Sequence, residues 1–170
     1  MKILILTPGI YKLPLIGYGG LEQLCYWLAL AYQKAGHQVS VVAPEGSKFP
    51  DGIELIPIIL RESEETAFKK YQARLTEFDI IHDHTFQSWC YTESIGKFPP
   101  LNIVHTFHTD PSIWSSPPPV PRTNLVGISR NHARRLAIHL GVPVKSVYNG
   151  LDTSFYVPPE KPERNGRYLF

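Results

Sequence analysis

Cysteine is scarce in this chain. Cys25 and Cys90 are the only two in 170 residues, and they lie too far apart to fit a metal or redox spacing. Cys25 falls on the apolar side of a helical pattern, so both read as core thiols of a reducing compartment. Strong charge of one sign is also lacking. The formal net charge is +2, which gives no electrostatic reason to bind nucleic acid or an anionic membrane. No apolar run is long enough to cross a bilayer. The first residues, Met-Lys-Ile-Leu-Ile-Leu-Thr-Pro, superficially resemble a signal peptide. The run stops at Pro8 without a small-residue cleavage site, and it reads as a first strand instead. A cytoplasmic protein is the expectation. Internal repeats are absent, and the one biased stretch is a proline cluster over residues 115–121, stiff because proline fixes φ and lacks an N–H. With 43% hydrophobic and 19% charged residues, the remainder is globular rather than disordered.

Apolar runs and helical periods alternate along the chain. Runs at 2–6, 39–43, 53–58, 79–82, 101–104, 125–128 and 144–148 read as strands. Helical spacing joins Leu21, Leu24, Cys25, Leu28, Ala31 and Ala35, with Gly36 as the stop. A second helix is predicted over 65–75 and a poorer one over 87–95. A last helix begins after Ser129, a good N-cap, and closes at Gly141. Most strands are apolar on both faces, and a parallel sheet covered by helices on each side buries such strands. The class is α/β, doubly wound.

Ligands of an open parallel sheet bind beyond the C-terminal strand ends. Four segments fall there. In Gly17-Tyr-Gly-Gly-Leu-Glu22, glycines permit close backbone approach, and a helix start offers free N–H groups to a phosphate. The dinucleotide fingerprint G-x-G-x-x-G is absent, and Glu22 in the first turn would repel an anion. In His82-Asp-His84, two histidines at i and i+2 share one side of a strand. No Cys, Asp or Glu array completes a metal site, and cleft lining suits His84 better. In His105-Thr-Phe-His-Thr-Asp110, His108 is placed to meet a phosphate or sugar hydroxyl, while His105 alternates toward the interior. Tyr148-Asn-Gly-Leu-Asp152 reads as turn chemistry. Arg130, Arg134 and Arg135 read as a solvated helix face.

Taken together in order, several pieces resemble the GT4-type (glycosyl transferase group 1) retaining glycosyltransferases of the GT-B fold. They are the first strand, Gly19-Gly-Leu-Glu22, Gly36-His-Gln-Val-Ser-Val-Val42, Phe78-Asp-Ile-Ile-His-Asp-His84, Thr106-Phe-His-Thr109, Val126-Gly-Ile-Ser129 and Val147-Tyr-Asn-Gly-Leu-Asp152 with Phe155 and Pro158. The resemblance implies a Rossmann-like doubly wound parallel sheet forming the N-terminal half of a GT-B fold. Residues 1–157 would be the acceptor-side domain. Residues 158–170 would be a linker and the first strand of a donor-binding domain that lies beyond. It implies a hexosyltransferase that uses a nucleotide-sugar donor with retention, on a sugar, lipid or small-molecule acceptor, and a chain inactive by itself. Gly19 and Gly20 would approach the donor diphosphate, and His108 would be the catalytic-centre histidine. Tyr18, His84, Thr109 and Asp110 would lie on the acceptor side. Neither metal nor cofactor is implied, nor a nucleic-acid partner; peripheral membrane contact is compatible with it. The proline loop departs from the family pattern and leaves the acceptor undefined.

Three other readings fit parts of the sequence. A small nucleotide-binding Rossmann oxidoreductase would use Glu45, after the second strand, as its ribose ligand, but it lacks the fingerprint glycines. A GT-B sugar-nucleotide epimerase and a non-catalytic carbohydrate-binding module are the others.

Overall fold

A computed structural model describes residues 1–15, 17, 19–96, 100–113 and 122–150. Its elements, in chain order, are β1 (Lys2–Leu6), α1 (Gly20–Lys34), β2 (Gln38–Pro44), β3 (Ile53–Ile58), α2 (Glu64–Tyr71), a 3-10 continuation (Gln72–Glu77), β4 (Ile80–Asp83) and α3 (Trp89–Ser94). There follow β5 (Ile103–Phe107), a 3-10 turn (Pro111–Ile113), β6 (Leu125–Gly127), α4 (Arg130–Leu140) and β7 (Lys145–Ser146). The seven strands make one sheet in the order β3-β2-β1-β4-β5-β6-β7. Every pairing is parallel.

The period-2 alternation of each strand divides the core. Ile3 and Ile5 of β1, with Val39, Val41 and Ala43 of β2, bury against Cys25 and Ala29 of α1. Leu4, Leu6, Val42, Ile81 and Ile103 point to the other face, against Phe68 and Tyr71 of α2 and Cys90 of α3. Phe107, Leu125 and Leu136 form a smaller cluster under α4. Helices therefore lie on both faces, as the doubly wound class requires. Both cysteines are free and buried, as core thiols should be.

Helix ends follow their caps. Ser129 accepts a hydrogen bond from His132 N, and Gly141 closes α4 at φ 68°. Ser63 caps α2 through Thr66 N. Gly127 is needed for packing, because a Cβ there would lie 2.7 Å from the Ala133 backbone.

Several boundaries differ from the sequence reading. β7 keeps only Lys145 and Ser146 of the predicted 144–148, and the helix predicted over 65–75 ends at Tyr71 and continues as 3-10. Three other differences concern β4, β5 and α3. The fourth strand begins at Ile80 and runs through Asp83; the fifth begins at Ile103 and runs through Phe107. In both, polar residues extend a strand whose apolar run has ended, because ladder partners await them: Leu6 for Asp83, Leu125 for His105 and Val126 for Thr106. The third helix is shorter than predicted, since residues 84–88 are tied into a loop by side chains. Residues 158–170, Asp152, the proline cluster and Tyr18 lie outside the described residues.

Candidate functional site

The order of strands locates the crevice. From β1 the chain moves to β2 and β3 on one side, then crosses to β4 and proceeds outward the other way. The reversal separates the loops after β1 and β4, and the gap at their C-terminal ends is where such sheets take ligands. The chain is bound closely at this point, with His84 N donating to Leu6 O at 3.0 Å.

Three elements bring side chains to that gap. The first is the start of α1. Gly19 is its N-cap at φ 153°, offering no side-chain acceptor to the first-turn amides. An added Cβ would lie 2.2 Å from Leu15 Cδ2 and 3.3 Å from Glu22 Oε2, so glycine is required there. Gly20, the first helical residue, is exposed with open space beside it. Glu22 is buried, and burial raises its carboxyl, with its own backbone N–H pulling the other way.

The second element is the end of β4. His82 and His84 share the face covered by α1, their ring centroids 4.2 Å apart. Both nitrogens of His82 are engaged: Nδ1 with Tyr32 Oη at 3.0 Å and Nε2 with Thr106 Oγ1 at 2.8 Å. His84 is 2% exposed and meets His108 through its Nδ1, 2.9 Å from His108 Nε2. It is thus packed behind His108 rather than lining open space. On the opposite face Asp83 is fully buried, and its carboxylate accepts from Thr85 N, Thr85 Oγ1 and Ser88 Oγ. Glu64 of α2 adds bonds to Phe86 N and Gln87 N, and Arg122 donates to Gln87 O. These anchors fix the loop that follows the two histidines.

The third element is the end of β5. His105 alternates inward, is fully buried, and donates from Nε2 to Thr85 O at 2.8 Å. His84 and His105 are buried, whereas His108, like His82, is half-buried. Burial, together with the neighbouring His105, His82 and His132, brings the His108 imidazole down to about 4. His82 falls to about 4, mainly by burial, and His84 falls well below its ordinary range for the same reason. All three are neutral at pH 7, a set of uncharged imidazoles rather than a cationic anion clamp. Thr109 is tied to α4, its carbonyl accepting from His132 Nε2 at 2.7 Å, while its own hydroxyl is buried without a partner among the described residues. Asp110 pairs with Arg135 and accepts from Ser112 N at 2.9 Å. Its carboxyl is held down at about 2, first by the Ser112 bonds and then by Arg135.

Of the residues selected from sequence, His84, His108 and Thr109 come together at one end of the sheet. Gly19 and Gly20 start the helix that covers the same face, and Asp110 turns to Arg135 at the α4 side. No three of the described His, Cys, Asp and Glu residues converge as a metal-binding set. Sequence reasoning missed Tyr32, the Asp83–Thr85–Ser88 knot and His132. The signal for His132 was present in Ser129-Arg-Asn-His132, where the capping serine accepts from the third residue after it.

A doubly wound parallel sheet with a glycine-started helix and a polar cluster at its switch point is a Rossmann-like domain. Residues 18–155 match Glycosyltransferase Family 4, and the chain belongs to that family. The crystal structure of AviGT4, a glycosyltransferase involved in avilamycin A biosynthesis, has the same fold, with a TM-score of 0.58 and 21% sequence identity. The similarity covers 85% of this chain and 41% of that one, so this chain spans less than half the length of that structure. Among curated proteins, none matches this chain. No helix among the described residues is long and apolar enough to cross a membrane.

Proposed function

We propose that this domain is the acceptor-side wall of an active site that transfers a hexose from a nucleotide sugar, with retention, to a sugar, lipid or small-molecule acceptor. One observation carries the reading. His108, half-buried and with one ring nitrogen that no described residue bonds, lies at the C-terminal ends of the central strands, on the face where α1 begins at Gly19 and Gly20.

In this reading the first-turn amides of α1 hold the donor diphosphate, with the helix dipole favouring its charge. His108, neutral and partly desolvated, donates a hydrogen bond to the transferring sugar or its phosphate. The bond from the anomeric carbon to the leaving phosphate oxygen breaks. The acceptor oxygen bonds to that carbon from the same face, and its proton passes to the departing phosphate. Tyr18, Thr109 and Asp110 are assigned to the acceptor side, and His84 acts there through His108. Remaining donor contacts are assigned to parts of the enzyme outside these 170 residues, so the chain alone should not turn over. A cytoplasmic location, with peripheral membrane contact if the acceptor is a lipid, suits this chemistry.

The test is His108→Ala in the full-length enzyme that carries this domain. Loss of one preorganised donor should lower kcat by about 10²- to 10³-fold, with the enzyme still folded although His84 Nδ1 loses its partner. Turnover near the wild-type rate would remove His108 from the site and with it the basis of the reading.

A further inference from the structure

The contact between His84 and His108 assigns a proton. Two neutral imidazoles 2.9 Å apart share one hydrogen, carried either by His84 Nδ1 or by His108 Nε2. The surroundings of His84 decide between them. Its ring is 2% exposed and its other nitrogen, Nε2, is buried without a partner among the described residues. If His84 accepted from His108, its own proton would sit on Nε2, a buried N–H with no acceptor. If His84 donates from Nδ1, the buried nitrogen keeps only a lone pair. Buried orphan N–H groups are rarer and costlier than under-used acceptors. A charged His84 with a proton on each nitrogen is disfavoured by the same burial.

His84 has little freedom to escape this arrangement. Its ring lies against His82, with centroids 4.2 Å apart, and His82 is pinned at both nitrogens by Tyr32 and Thr106. On the other side His108 Nδ1 makes no hydrogen bond to a described residue and is not a buried atom. It is therefore the nitrogen that a ligand can reach.

We propose that His84 is a positioning residue: by donating from Nδ1 to His108 Nε2, it holds His108 as the Nδ1–H tautomer and turns that proton toward the cleft. His108 then meets its ligand as a neutral hydrogen-bond donor, suited to a hydroxyl or phosphate oxygen, and not as a base. The consequence for catalysis rests on the transferase reading given above; the tautomer itself does not.

The experiment is long-range 1H–15N correlation of the histidine side chains in the uniformly labelled 170-residue chain near neutral pH. Wild type should show His108 protonated at Nδ1. His84→Leu, which removes the donor, should move His108 toward the Nε2–H form that an unconstrained imidazole favours. His84→Asn, whose amide nitrogen takes the place of Nδ1, should restore the wild-type pattern. His108 protonated at Nε2 in wild type overturns the proposal without recourse to any variant, so a failure of His84→Leu to fold does not protect it. An unchanged tautomer in His84→Leu overturns it as well. In the full-length enzyme, His84→Leu should lose kcat by between about tenfold and a hundredfold with a smaller change in KM, and His84→Asn should recover part of the loss. If the tautomers respond as stated but kcat does not, the proton assignment stands and the transferase role of His108 falls.

Discussion

Acidifying the domain from about pH 8 to pH 5 should cost it several kcal/mol of stability, through histidines that fold in their neutral form. Burial is the leading cause of a lowered value at His82, His84, His105 and His108. For His82 and His108 the fall is from 6.5 to about 4. Between those values the unfolded chain binds protons that the native state refuses. Stability is therefore full above about pH 6.5 and is lost as pH drops toward 4. At about 1.4 kcal/mol per pH unit, the interval from 6.5 to about 4 amounts to about 3.5 kcal/mol at most for either residue, less for the partly solvated His108. Two such terms rival the whole stability of a small domain, about 5–15 kcal/mol. Glu22 and Glu64 act oppositely: burial raises both carboxyls, so their native forms take up protons and blunt the slope at the acid end. Urea unfolding at half-unit pH steps measures the effect. Stability should be level from about pH 8 to 7 and should fall steeply below 6.5. His108→Gln keeps an acceptor opposite His84 Nδ1, and it should flatten the slope between pH 6 and 5 by up to about 1.4 kcal/mol per pH unit. Constant wild-type stability down to pH 5 would refute the buried neutral cluster.

Two substitutions test the supports of the site. Gly127→Ala pushes a Cβ to 2.7 Å from the Ala133 backbone, and α4 must move to admit it. It should cost about 1–3 kcal/mol in urea unfolding, and an unchanged midpoint would contradict the packing described. Asp83→Ala leaves Thr85 N, Thr85 Oγ1 and Ser88 Oγ without their acceptor. It should cost about 3–5 kcal/mol and speed amide exchange at Thr85 and Ser88; a loss below about 1 kcal/mol would show that the loop has other anchors.

Much of the fold was legible because burial on both faces leaves a simple mark. β1 and β3 have the predicted limits, and Ser129 and Gly141 bracket α4 through local backbone chemistry. Legibility failed where polar side chains enter the sheet. The apolar run of β5 stops at Val104, yet His105, Thr106 and Phe107 continue the strand because β6 pairs with them. Those are the residues that build the cluster, so the site blurred the signal of its own scaffold. The His84–His108 contact follows from register. His82 bonds Thr106 and His84 bonds His108, each partner 24 residues on, two residues beyond the in-register offset of the Asp83–His105 pairing. An offset of that kind is set by the loop between strands and is not written in either motif. The Asp83 knot is likewise tertiary: nothing in His82-Asp-His84 shows that Thr85 and Ser88 take up the carboxylate between the two histidines.

The central claim is that the start of α1 and the end of β5 form one wall facing a nucleotide sugar. Hydrogen–deuterium exchange of the full-length enzyme, with and without a panel of UDP-, GDP-, ADP- and dTDP-hexoses, tests it most directly. At least one member should slow exchange in residues 19–23 and 105–110 together. Slowed exchange confined to other segments, with both of these unchanged under a sugar that the enzyme turns over, would contradict the account.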